Sequence, residues 1–203
     1  MKTNSEIRLT ARETLKKQGG GEFLIPTLVY GLLAGVSAAI GQVMPLINLA
    51  LSIFFLLPLG FGFTMMFLNF VRDGKQLSVD GVFGAFNKTY YKKSVVTMLL
   101  VGIYTFLWTL LLIVPGIIKS LGYSMTAMVL AENPELGANE AIDRSAAMMD
   151  GHKMDLFLIL LGYIGLTLLS ALLLFIPMLW IAPYYQTVLA KFYLELKNEQ
   201  SMQ

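Results

Sequence analysis

The stretch SVVTMLLVGIYTFLWTLLLIVPGIIKSLGYSMTAMVLA, residues 94–131, contains one charged residue, Lys119, and one proline, Pro115. A helix needs roughly 20 apolar residues to cross about 30 Å of hydrocarbon. The stretch therefore reads as two membrane-spanning helices, residues 94–114 and 116–131, with Pro115 marking the turn. At 1.5 Å per residue, Pro115 to Glu132 covers roughly 26 Å, so the second helix is a short span.

Working outward, residues 23–44 and 46–71 form a similar pair around Pro45, and residues 156–176 and 178–194 a third, the last span being the most polar. From Pro58 to Arg72 is only about 21 Å, too short to cross, so Pro45 is read as the turn and Pro58 as a kink. The fold class is all-α: a polytopic helical membrane protein of about six spans arranged as three helical hairpins. One membrane domain, 1–203, divides into an N-terminal helix and junction (1–22), a first hairpin (23–71), a polar segment (72–93), a second hairpin (94–131), another polar segment (132–153), a third hairpin (154–194) and a tail (195–203).

Fourteen of the fifteen Lys and Arg residues, and all thirteen Asp and Glu, fall in segments on one side of these spans; Lys119 is the exception. Basic residues flanking transmembrane helices remain cytoplasmic, which places both termini there. The cytoplasmic segments also carry amphipathic patterns. Residues Ile7, Ala11 and Leu15 share a face after the capping box Thr3 to Glu6, and Gly19 to Gly21 end that helix. Val79, Val82, Phe83, Phe86 and Tyr90 repeat the pattern. In the third segment Asn133 is a cap, Pro134 the first helical position and Gly151 the stop. Its face is Ala138, Ala141, Ile142, Ser145 and Met149, with Glu140 and Arg144 paired four apart. These helices are expected to rest on the bilayer surface or the bundle. Together they suggest a repeat of roughly 60 residues, in which Lys93 matches Lys153, Gly102 Gly162, Pro115 Pro177 and Tyr123 Tyr185.

A composition 56% hydrophobic and 14% charged, with a net charge of +2 and no cysteine, excludes a disulfide framework and Cys-ligated metals, and gives no basic patch for nucleic acid. No cofactor is implied. The polar N-terminus is not a secretory signal. Trp108, Trp180, Tyr90, Tyr91 and Tyr193 fit interfacial aromatic belts, and Gly31 with Gly35 permits close helix packing within the bundle.

Lys119 is an intramembrane cation that either snorkels to the outer interface or lines a site. In the second case Lys119, Tyr123 and Thr126 share a helix face, and with Tyr184, Tyr185 and Gln186 they form a polar cleft for a lipid phosphate or another anion. A second candidate cluster, Glu132, Asp150, His152 and Lys153, lies at the inner interface, where solvated helix flanks are the ordinary reading; one histidine makes a poor metal site. No nucleophile, base or metal motif is recognisable, so the protein is read as a non-enzyme.

The residues Pro115-Gly116-Ile117-Ile118, Tyr123-Ser124-Met125, Ala131-Glu132-Asn133-Pro134, Ala141-Ile142, Ser145, Met149 and Gly151-His152-Lys153 carry a resemblance. Here the chain resembles a bacterial multi-pass membrane family catalogued as domain of unknown function 975. The resemblance implies an inner-membrane location and no activity. A more distant likeness, to the membrane part of some bacterial glycerophosphodiesterases, implies lipid-associated work. The preferred expectation is a lipid-interacting, membrane-organising or scaffolding protein that meets anionic headgroups, and a membrane-protein partner, on the cytoplasmic face. The alternative is a small transporter or channel with a polar site around Lys119, Tyr123 and Tyr185. Hairpins that dip into one leaflet and return are a different topology with the same charge pattern.

Overall fold

The computed structural model describes residues 3–18, 21–172 and 177–201. The described residues form eleven α-helices: α1 (Asn4–Gln18), α2 (Leu24–Val43), α3 (Pro45–Leu51), α4 (Leu57–Asp73), α5 (Val79–Val82), α6 (Tyr91–Leu111), α7 (Ile113–Tyr123), α8 (Thr126–Glu132), α9 (Ala138–Met148), α10 (Lys153–Leu172) and α11 (Met178–Ser201). Five stretches are long and apolar enough to cross a membrane: α2, Pro45–Asp73, α6, Ile113–Glu132 and Lys153–Ser170. The expected sixth span corresponds to α11, which carries Lys191, Glu195, Lys197 and Glu199 in its second half and is not among the five. The glycines 19 and 20 of the expected first helix end, and residues 173–176 at the end of the expected fifth span, lie outside the described residues.

Pro45 opens α3 directly after Met44, so the first turn falls where the proline predicts. Inside this turn Ser37 Oγ donates to Asn48 Oδ1 at 2.6 Å, with Gly41 leaving room for the Asn48 side chain. Such interhelical hydrogen bonds hold helices together where lipid supplies no hydrophobic driving force. A π-helical turn, Ser52–Leu56, links α3 to α4 just ahead of Pro58. Proline has no N–H for the carbonyl four residues back, Phe54, and that carbonyl instead accepts from the Tyr91 hydroxyl at 3.0 Å. The kink expected at Pro58 thus serves as an attachment point for α6.

The second turn sits at Leu112, whose extended backbone separates α6 from α7, so Pro115 lies within the first turn of α7 rather than between the helices. Proline is tolerated there because the first N–H groups of a helix lack partners anyway. The expected continuous fourth span is broken at Ser124 and Met125. Ser145 of α9 holds this break: its Oγ donates to Gly122 O at 2.8 Å and accepts from Met125 N–H at 3.1 Å.

Two polar segments differ from expectation. Between the end of α4 at Asp73 and the start of α6 at Tyr91 only α5 is α-helical, capped by Ser78 Oγ on Gly81 N–H. Gly81 and Gly84 press on Met66 and Met65, and a Cβ on Gly62 would collide with the Val82 carbonyl, so close packing on α4 replaces a free amphipathic helix. In the other segment Asn133 closes α8 instead of opening α9, its amide donating to Val129 O at 2.9 Å. Helix α9 begins at Gly137, whose N–H bonds Glu140 Oε2 at 2.7 Å; Glu140 therefore turns to the helix start rather than to Arg144. The stop at Gly151 is as expected, with φ at +82°.

Burial divides the molecule into two zones. The largest fully buried side chains include Ile7 of α1, Phe61, Phe67 and Phe70 of α4, Met128 and Leu130 of α8, and Phe192 of α11. They lie toward the helix ends remote from the turns, and α9 adds Ala141, Ile142 and Met148. By contrast, Leu28, Leu32 and Val36 of α2, Leu46 of α3, Phe106 and Leu110 of α6 and Leu168 of α10 are exposed apolar side chains. Only 17% of the apolar window of α2, of α6 and of α10 is buried. A bare apolar shell of this extent matches a lipid environment. The faces of α1 and α9 pack inward, toward the bundle: Ile7 and Ala11 join one core with Phe192, Tyr193 and Leu196, and Leu15 joins another with Phe23 and Leu59.

Each helix pair carries one aromatic contact between its limbs. Tyr30 stacks on Phe63 with ring centres 4.6 Å apart, Tyr104 meets Tyr123 at 6.5 Å, and Tyr163 stacks on Tyr185 at 4.0 Å.

Candidate functional site

Lys119, on the exposed face of α7, sets its ammonium 4.9 Å from the centre of the Trp108 ring. A cation over an indole face is stabilised by the ring quadrupole, and an exposed pair of this kind contributes about 0.5–1 kcal/mol. Tyr123 turns to Tyr104, whose hydroxyl pairs with Asn139 Oδ1 at 3.1 Å. Thr126 lies past the break in the helix, buried, its hydroxyl donating to Tyr123 O at 2.7 Å. The expected common face of Lys119, Tyr123 and Thr126 is therefore interrupted at Ser124 and Met125. Tyr184, Tyr185 and Gln186 belong to a separate surroundings on α11, so the six residues do not form one cleft.

What α11 does assemble is a basic and aromatic region. Arg8 of α1 reaches α10, where Nη2 donates to Leu158 O at 2.9 Å, with its guanidinium against Gly162. A small cavity of about 70 Å³ between them is lined by Arg8, Gly162, Tyr163, Tyr184 and Tyr185. One and two turns further along α1, Arg12 and Lys16 line a groove of about 420 Å³ with Leu15, Phe23, Trp180 and Tyr184. A second groove, about 430 Å³ and almost wholly apolar, runs between α2 and α11 past Thr27, Tyr30, Gly31, Ala34, Met178 and Ala182. The two adjoin along both helices, since Leu24 is followed one turn later by Thr27 and Leu28, and Trp180 is next to Leu179. Gly31 and Gly35 are not packed within the bundle, for a Cβ on either would meet nothing within 4 Å. Sequence reading missed Arg12, Lys16 and Trp180 as a group. The available signal was two cations four residues apart bracketing Leu15 on an amphipathic helix.

The inner cluster is also rearranged. Glu132, its side chain only 5% exposed, accepts from Arg72 Nη1 at 3.0 Å, Tyr193 Oη at 2.8 Å and Lys197 Nζ at 2.6 Å. His152 instead faces Asp155 and Glu199, each at 3.8 Å, and Lys153 pairs with Asp150 at 3.2 Å. Glu132 is thus the centre of a four-residue clasp joining α4, α8 and α11, apart from the other three members predicted with it. A carboxylate removed from water needs such charged and hydrogen-bonding partners. Among the described residues no three His, Asp or Glu side chains are grouped to hold a metal ion.

Against this geometry, a family model described as "Protein of unknown function (DUF975)" matches residues 1–120 and 109–200. No curated protein and no solved structure matches the chain.

Proposed function

The chain belongs to the DUF975 family, whose description assigns no activity, and from that premise we propose a non-enzymatic protein of the bacterial inner membrane that gathers anionic lipid at the cytoplasmic leaflet. The observation that carries this reading is the two-zone surface: a bare apolar shell on α2, α3, α6 and α10 above a packed end where the basic residues lie. Apolar shell fixes the protein in hydrocarbon, and basic residues beside it attract anionic headgroups with about 1 kcal/mol each near the surface. Both termini are cytoplasmic in this reading, supported by the basic residues at the helix ends remote from the turns. The three aromatic contacts within successive helix pairs support a chain built of three repeated hairpins.

The transporter reading drew on a single polar site around Lys119, Tyr123 and Tyr185; Tyr123 instead meets Tyr104, Tyr185 stacks on Tyr163 and Lys119 lies over Trp108. The non-enzyme reading rests on side-chain chemistry, with no cysteine and a lone histidine paired to carboxylates.

Extraction into polymer-bounded discs from membranes of known composition, followed by lipid analysis, tests the proposal. Anionic phospholipid is expected to be enriched around the protein relative to the bulk membrane. Equal composition inside and outside the discs would overturn it.

A further inference from the structure

We propose that the groove between α1, α2 and α11 binds one anionic glycerophospholipid, its phosphate held by Arg12 and Lys16 and one acyl chain lying past Gly31. This deepens the reading above and rests on it. Arg12 and Lys16 stand four apart on α1, hence on one side of the helix, and both line the groove mouth. Glu13 and Glu22, the acidic residues nearest in sequence, do not line it. Trp180 and Tyr184 line the same mouth, each ring with a polar tip that can donate a hydrogen bond to a phosphate oxygen.

Below the mouth the surface turns apolar between α2 and α11. From Thr27 to Ala34 the trough rises about 10 Å along α2, a third of the roughly 30 Å of hydrocarbon. A cationic end that continues into an apolar trough fits a phospholipid headgroup and the first part of an acyl chain. Gly31 faces open space, so the trough is not closed by packing.

Native mass spectrometry of the purified full chain, titrated with dioleoylphosphatidylglycerol and separately with dioleoylphosphatidylcholine, tests the site. The first phosphatidylglycerol is expected to bind more tightly than phosphatidylcholine. Replacing both cations, Arg12→Gln with Lys16→Gln, should weaken phosphatidylglycerol about tenfold or more and leave phosphatidylcholine nearly unchanged. Gly31→Leu, whose Cβ meets no protein atom within 4 Å, adds bulk to the trough and should weaken both lipids. Lys17→Gln removes the same charge from α1 outside the groove and should change neither. Wild-type phosphatidylglycerol affinity in the double variant or in Gly31→Leu overturns the site, as does an equal loss in Lys17→Gln. If the double variant keeps wild-type phosphatidylglycerol affinity while the wild type still enriches anionic lipid in discs, the site alone fails; if the wild type shows no enrichment, the broader reading fails too.

Discussion

A single carboxylate, Glu132, is asked to satisfy an arginine, a lysine and a phenol while almost wholly shielded from water. Removing it takes this counter-charge from Lys197, while Arg72 keeps Asp73 at 2.8 Å. Because both cations remain partly exposed, Glu132→Ala is expected to cost about 1–3 kcal/mol, read as a lower unfolding midpoint by intrinsic fluorescence in detergent. Tyr193→Phe removes one donor of the three and should cost about 1 kcal/mol. Gly62 offers a sharper contrast. Its Cβ would run into backbone, the Val82 carbonyl, and backbone does not yield as a side-chain tip does. Gly62→Ala is therefore expected to lower stability by about 1–3 kcal/mol, while Gly165→Ala, which meets nothing, should leave the midpoint within about 0.5 kcal/mol. Neither the Glu132 clasp nor the Gly62 contact was legible in the sequence. Glu132 and its partners are about 60 residues apart, a separation at which periodicity is silent, and a glycine declares close approach without naming the neighbour.

At the scale of elements, the apolar faces were legible but what they cover was not. The spacing of Ile7, Ala11 and Leu15 identifies the buried side of α1; only the three-dimensional arrangement assigns that side to α11 and α4 rather than to lipid. Ala11 is fully buried, and Ala11→Arg is expected to undock α1, seen as faster hydrogen exchange across Asn4–Gln18 with α6 unaffected. The turns were legible to within a few residues, because proline constrains where a helix starts without dictating which residue bends. Pro45 opens its helix, whereas Pro115 sits inside the first turn of α7. The break between α7 and α8 carried no proline or glycine at Ser124 or Met125, and Ser145 is what stabilises it. Ser145→Ala strands a carbonyl and an N–H in a buried setting and is expected to cost about 1–3 kcal/mol, again by unfolding midpoint.

For the whole molecule, span length and charge asymmetry were the readable quantities, the first imposed by bilayer thickness and the second by the retention of basic flanks on one side. The helical membrane architecture follows from them directly; the division into a packed end and a bare shell does not, since both zones are written in the same apolar alphabet. The absence of cysteine makes topology directly measurable. Single cysteines at Leu46 and Leu112, beside the first two turns and both exposed, are expected to react with an impermeant maleimide added to intact cells. Protection at both positions, with labelling only after the membrane is opened, would instead indicate hairpins that return within one leaflet.

The seating of α1 has a consequence for synthesis. Asn4 bonds Asp155 and Arg8 bonds Leu158, so the berth of the first helix is built from α10 and α11, the last to leave the ribosome. Until they are made, α1 lacks the α11 surface that covers Ile7 and Ala11, although Phe23 and Leu59 are already there for Leu15. Its charged outer side and apolar inner side equip it to wait on the membrane surface as an interfacial helix. Helix α1 is then expected to dock after α10 and α11 have been made, although it precedes them in the chain.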